Sequence, residues 1–151
     1  MTVKTGLVDN QKTKLQMQNP ATKAWENVAE VVTLPLPGST VAEDDVTTLD
    51  DDDTVGVPAG PFQNEALEIQ MLQISGSSQQ RDMYRAFRNK EVRTYRIMCP
   101  DAKALTYQFD ASILSWKPGS EKSKKNRITV SLKPNGTVII SNTDGQIWPI
   151  V

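Results

Sequence analysis

Residues 105–113 alternate strictly, with Leu105, Tyr107, Phe109, Ala111 and Ile113 on one side and Thr106, Gln108, Asp110 and Ser112 on the other. A period of two over nine residues describes a strand with one face in a core and one in water, so the chain must build a sheet around that apolar face. After the basic segment 117–127, Ile128, Val130 and Leu132 repeat the pattern, and 105–116 with 127–133 reads as a hairpin. Tyr107, Phe109, Ile113, Val130 and Leu132 are its expected contribution to the core.

Other short segments follow the same logic. Residues 14–18 form a strand stopped by Asn19-Pro20, and 92–99 form one with Tyr95, Ile97 and Cys99 on one side, turned at Pro100-Asp101. In 25–34, Trp25, Val28 and Val32 fit a helical stripe while Val28, Glu30, Val32 and Leu34 fit period two, and the β-branched Val28, Val31, Val32 and Thr33 favour a strand in the second half, ended by Pro35 and Pro37. Residues 66–74 change apolar phase, from Leu67, Ile69 and Met71 to Leu72 and Ile74, which a bulge or a strand between two environments would produce. Pro134-Asn135-Gly136 signals a turn before a last strand at 137–141, and an apolar tail carries Ile147, Trp148 and Ile150. One helix is expected, at 79–89, opened by Ser77-x-x-Gln80 and stopped by Asn89, with Met83, Tyr84 and Phe87 on one face. Six or seven strands and one helix make a single, mainly β domain over 1–151, a sheet or sandwich with the helix packed on it.

From Pro35 to Pro61 the chain carries four of its nine prolines, three glycines and the acidic run EDDVTTLDDDD at 43–53, and reads as a long loop. Seven of the 18 acidic groups, Glu43, Asp44, Asp45, Asp50, Asp51, Asp52 and Asp53, fall in that run, leaving 11 against all 17 basic groups elsewhere. Such polarity suits copies that attract one another through complementary surfaces, and a purely solvated loop is the plainer alternative. Candidate basic partners are a helix stripe of Arg81, Arg85 and Arg88 and the 117–127 segment with Lys122, Lys124 and Lys125.

Chemistry is largely excluded. Without histidine there is no Ser-His-Asp or Cys-His nucleophile and no HExxH zinc site, and a single cysteine allows neither an intrachain disulfide nor a Cys-rich zinc module. Against the EF-hand pattern from Asp51, Asp53 and Gly56 fit, but Val55 and Phe62 stand where oxygen ligands are needed. Neither GxGxxG nor GxxxxGK occurs, so no phosphate loop is present. No enzyme activity, cofactor or metal is expected, nor a signal peptide or apolar membrane span, and synthesis in the cytoplasm follows. Clustered lysines at 117–127 beside Trp116 leave a small β-rich adaptor or nucleic-acid-binding module as an alternative to self-assembly.

The string AFRNKEVRTYRI at 86–97, followed by Cys99-Pro100-Asp101, resembles the helix-to-strand junction of tail tube proteins from lambda-type bacteriophages with long, non-contractile tails. WENVAEV at 25–31, then an excursion ending in Leu49-Asp50-Asp51, resembles the same family's tryptophan-led strand and acidic loop, and the likeness spans roughly 24–140. Nothing in the chain matches the immunoglobulin-like domain that follows the tube domain in lambda. The resemblance implies a β-sandwich or partial barrel with one flanking helix, forming hexameric rings that stack into a hollow tube for DNA. The partners it implies are further copies of the chain, other tail proteins and passing double-stranded DNA, with no membrane, and the location it implies is the virion tail. Another tail component of the same fold is a related possibility.

Overall fold

The computed structural model describes residues 12–28, 30–100 and 103–148. Among them are ten strands and one helix: β1 (Lys14–Gln18), β2 (Trp25–Val28), β3 (Val31–Thr33), β4 (Ser39–Asp45), β5 (Gly56–Asn64), β6 (Leu67–Leu72), α1 (Ser78–Arg88), β7 (Val92–Met98), β8 (Thr106–Gly119), β9 (Arg127–Ser141) and β10 (Ile147–Trp148). Asp101, the second residue of the Pro100-Asp101 turn, and Ile150 of the apolar tail lie outside the described residues.

Eight strands form one antiparallel sheet in the order β2-β1-β7-β8-β9-β6-β3, with β10 added to β9. The two edge strands of that order are consecutive in sequence. Val28 ends β2 and Val31 begins β3, so their Cα atoms are at most about 11 Å apart. A sheet whose opposite edges lie that close must roll up, and the result is a partial barrel. Its inner face is the alternating set: Leu15, Met17, Leu67, Ile69, Met71, Tyr95, Ile97, Phe109, Ala111, Ile113, Val130 and Leu132 are all buried. Phe87 and Tyr107 are half-buried against this core. Burial pushes the Tyr95 hydroxyl pKa up.

The helix packs across β2 and β8, and Met83 and Ala86 face the core. Ser77 caps it, its side-chain oxygen accepting from Gln80 N at 3.3 Å. The buried Gln80 side chain does not return to Ser77. Its Nε2 donates to Leu72 O at 2.7 Å and its Oε1 accepts from Ile74 N at 3.1 Å, fastening the helix start to the end of β6. At the other end Asn89 is still right-handed, and Lys90, at φ 56°, makes the left-handed exit.

The strand expected in the second half of 25–34 is β3, and the first half is a further strand, β2, separated from it by Glu30 at φ 60° and joined to the opposite edge of the sheet. Four expectations are corrected. The phase change in 66–74 needs no bulge in the pairing with β9: β6 stays in regular register with it and ends at Leu72, leaving Ile74 beyond the strand. Pro134-Asn135-Gly136 does not turn the chain. Gln108 opposes Ile139 and Asp110 opposes Asn135, so β9 absorbs two extra residues as a bulge, with Gly136 at φ 75°. The basic segment is shorter than 117–127, since β8 runs to Gly119 and β9 starts at Arg127. Finally, 35–61 is no loop: β4 and β5 pair as a separate two-stranded sheet.

Candidate assembly interface

The β4–β5 hairpin is an arm. Every residue of β4 is exposed, and seven residues of strand extend it about 23 Å from its base. Among the described residues the arm's hydrogen bonds to the body lie at its base, where Asn64 Nδ2 donates to Pro134 O at 3.2 Å and Gly136 O at 2.6 Å, while Glu65 N donates to Gly38 O at 2.9 Å and closes the hairpin's own base. The body therefore receives the arm at the β9 bulge, whose displaced carbonyls have no strand partner on that side.

Of the acidic residues, Glu43, Asp44 and Asp45 lie on β4 opposite Pro58, Val57 and Gly56. Glu43 lies over Gly56, where a Cβ would stand 2.0 Å from its Oε1, so a side chain there would displace the carboxylate. Asp50, Asp51, Asp52 and Asp53 form the tip, and that tip is ordered by its own polar groups. Asp45 accepts from the Thr47 hydroxyl at 2.6 Å and from Thr47 N at 2.9 Å, which holds its carboxyl below the ordinary carboxylate value. Asp51 accepts from Thr48 N at 2.8 Å and from the Thr48 hydroxyl at 3.2 Å, and Thr47 Oγ1 in turn accepts from Val55 N at 2.7 Å. Between these turns Leu49 stands fully exposed. Val41, Val46, Val55, Val57 and Phe62 add further exposed apolar surface along the arm.

The basic candidates do not form one surface. Arg81 and Arg85 border an open polar groove of about 860 Å³ that also receives Glu26, Asp82, Glu91 and Arg93. There Arg93, 8% exposed, donates to Asp82 Oδ2 at 2.9 Å and to Glu91 Oε2 at 2.9 Å, while Arg85 reaches Asp82 Oδ1 at 2.7 Å. Burial alone would raise the Asp82 carboxyl pKa, but hydrogen bonds from Arg93 and Arg85, then their charges, outweigh it and hold the carboxyl low. Three cations and three anions leave that groove locally neutral. Arg88 faces elsewhere, onto a groove with Phe87, Lys90, Val92 and Leu114. Lys122, Lys124 and Lys125 sit in the β8–β9 turn, where Glu121 pairs with Lys124 at 3.1 Å.

Arg93 is not among the basic candidates that spacing and charge single out. It shares the phase of Tyr95 and Ile97, and a charge in register with a core face signals a buried partner. The Trp25 and Arg96 of the family resemblance meet directly, with the guanidinium 4.2 Å from the ring centroid. Among the described residues, no group of three or more His, Cys, Asp or Glu is placed to hold a metal ion, and no helix is long and apolar enough to cross a membrane.

This arrangement of the chain as a whole recurs in solved structures. The SPP1 tail tube aligns with a TM-score of 0.70 at 17% identity, covering 90% of this chain and 80% of the other. The chain has the tail tube fold. A chain of the anti-feeding prophage baseplate, 6-fold symmetrised, aligns at 0.75 and 10% identity, covering 93% and 99%. The tail of an empty gene transfer agent particle with C6 symmetry aligns at 0.70 and 13% identity, covering 86% and 96%. No protein-family model matches the chain, and no curated protein matches its sequence. The tail tube fold is thus carried here by a sequence only 10–17% identical to those of these three neighbours.

Proposed function

We propose that the chain is a structural, non-enzymatic subunit of a phage tail tube, closing into six-membered rings that stack into a hollow conduit for DNA ejection. The observation that carries this is the arm: a long exposed hairpin with apolar side chains and a hydrogen-bonded acidic tip, fastened to the body at its base. A two-stranded ribbon is marginal alone in water, so its natural complement is another protein surface, and rotation of one such heterologous contact closes a ring. Six subunits follow the symmetry given for the baseplate and tail neighbours. Glu43, Asp44, Asp45 and Asp50, Asp51, Asp52, Asp53 supply the acidic side of the contact, and the basic side comes from among Arg81, Arg85, Arg88, Lys122, Lys124 and Lys125. Partners are copies of the chain and other tail proteins, and the subunit, made in the host cytoplasm, ends in the virion tail.

Size-exclusion chromatography and negative-stain microscopy at rising protein concentration test this reading. Rings and hollow tubes are expected. A strictly monomeric protein that shifts DNA on a gel would instead make it a nucleic-acid-binding module.

A further inference from the structure

Self-assembly leaves open where the arm of one copy lands. Resting on the tube reading above, we infer that the Leu49 tip of one copy inserts into the groove between the C-terminal end of α1 and the β7–β8 pair of a neighbouring copy. This groove, of about 550 Å³, has an apolar floor of Phe87, Val92 and Leu114 and a cationic rim of Arg88 and Lys90, with no acidic lining residue. Val92 and Leu114 are 59% and 58% exposed, large aliphatic side chains on the outer face of a sheet whose neighbouring positions are polar. The tip offers the matching surface. Leu49 projects fully into solvent, with Asp50, Asp51, Asp52 and Asp53 following it directly.

An apolar knob with a carboxylate flank fits an apolar floor with a cationic rim, and the other basic surfaces fit less well. The groove at Arg81 and Arg85 already balances its charges internally. The cleft at the β8–β9 turn is smaller, about 220 Å³, and is lined by Gln70, Glu121, Lys124, Lys125, Arg127 and Thr129 around Gly119, with no apolar side chain to receive a leucine. Helix C-termini repel anions through bare carbonyls, but here Arg85 O, Ala86 O and Phe87 O accept from Asn89 N, Glu91 N and Lys90 N. That end therefore presents side-chain cations. The Thr48–Asp51 hydrogen bonds fix the tip before it docks, which lowers the ordering cost of binding.

The test mixes two variants of the full chain, each with one added cysteine, Leu49→Cys and Leu114→Cys, under assembly conditions with a short bismaleimide. Cys99 is buried and stays in place, with the unaltered chain as its control. A cross-linked dimer from the mixture, absent from either variant alone, is the expected result. Leu49→Asp should raise the concentration needed for assembly about tenfold or more, while Leu49→Met should leave it within a few-fold. Tubes that form without the cross-link would overturn this docking and leave the tube reading standing. A folded protein, by circular dichroism, that gives neither assemblies nor cross-link at any concentration would overturn both.

Discussion

The body and the arm are built from the same antiparallel pairing, yet they answer to different physics. In the body, β6, β7 and the facing stretches of β8 and β9 alternate buried residues with partly or fully exposed ones, so each strand pair closes over a shared core. In the arm, β4 is exposed along its whole length and β5 nearly so. Backbone hydrogen bonds alone stabilise a ribbon little, because water offers the same bonds to the unfolded chain. The body is therefore sufficient to itself, whereas the arm's side chains gain their apolar contacts only against another surface.

The largest expected difference is in the response to losing a phenylalanine. Phe109, 2% exposed, stacks with Tyr95 at 6.3 Å between ring centroids, and Phe109→Ala should destabilise the isolated subunit by about 3–5 kcal/mol in urea unfolding. Phe62, 76% exposed on the arm, should cost within about 0.5 kcal/mol on the same change. A loss below about 1 kcal/mol for Phe109→Ala would remove the distinction.

Next in size is the ion network that ties α1 to β7. Replacing Arg93 by methionine leaves Glu91 without its cation and Asp82 with Arg85 alone, at about 2–3 kcal/mol, less than for fully buried pairs because Asp82 keeps one partner and both carboxylates keep some contact with water. The same contact sets a pH dependence. Asp82 titrates lower when folded than its unfolded value of about 3.9, so its contribution is complete above about pH 4 and is lost as pH falls through the folded value. Urea midpoints between pH 2 and pH 6 should show that acid-limb loss in the unaltered protein and a shallower one in Arg93→Met. Parallel curves would make the network a bystander.

The smallest effect on the subunit should accompany a large effect on assembly. Asp50, Asp51, Asp52 and Asp53 changed together to asparagine keep an oxygen acceptor for Thr48 at position 51, so unfolding of the monomer should shift by no more than about 0.5 kcal/mol. Polymerisation followed by light scattering should slow about tenfold, and 1 M salt, where screening shortens to about 3 Å, should slow the unaltered protein similarly. Normal rates in both cases would make the acidic tip a passive solvated segment.

Legibility in the sequence followed burial. The strand at 105–113 is visible because one of its faces is buried, and the Ser77 cap because it satisfies orphan helix donors locally. The arm's sequence resembles a loop because period two is written by a core, and β4 and β5 have none; Pro58, Pro61 and the acidic run then weigh the composition toward a loop. Pro134-Asn135-Gly136 carries ordinary turn chemistry, but pairing with β8 on both sides turned the same left-handed glycine to a bulge. For the candidate interface, the charge polarity and the arginine spacing were readable. The Arg93–Asp82 pair, eleven residues apart and brought together by a helix folding onto a strand, was not, and neither was the separation of Arg88 from Arg81 and Arg85 into different grooves.

Hydrogen exchange across assembly measures the contrast between body and arm most directly. In the unassembled subunit, amides of β7, β8 and β9 should exchange far more slowly than those of β4, β5 and the 46–55 tip, whose hydrogen bonds lie in water. On polymerisation the arm should gain protection while the central strands change little. Equal protection of residues 39–64 in monomer and polymer would contradict an arm that is completed by its neighbour.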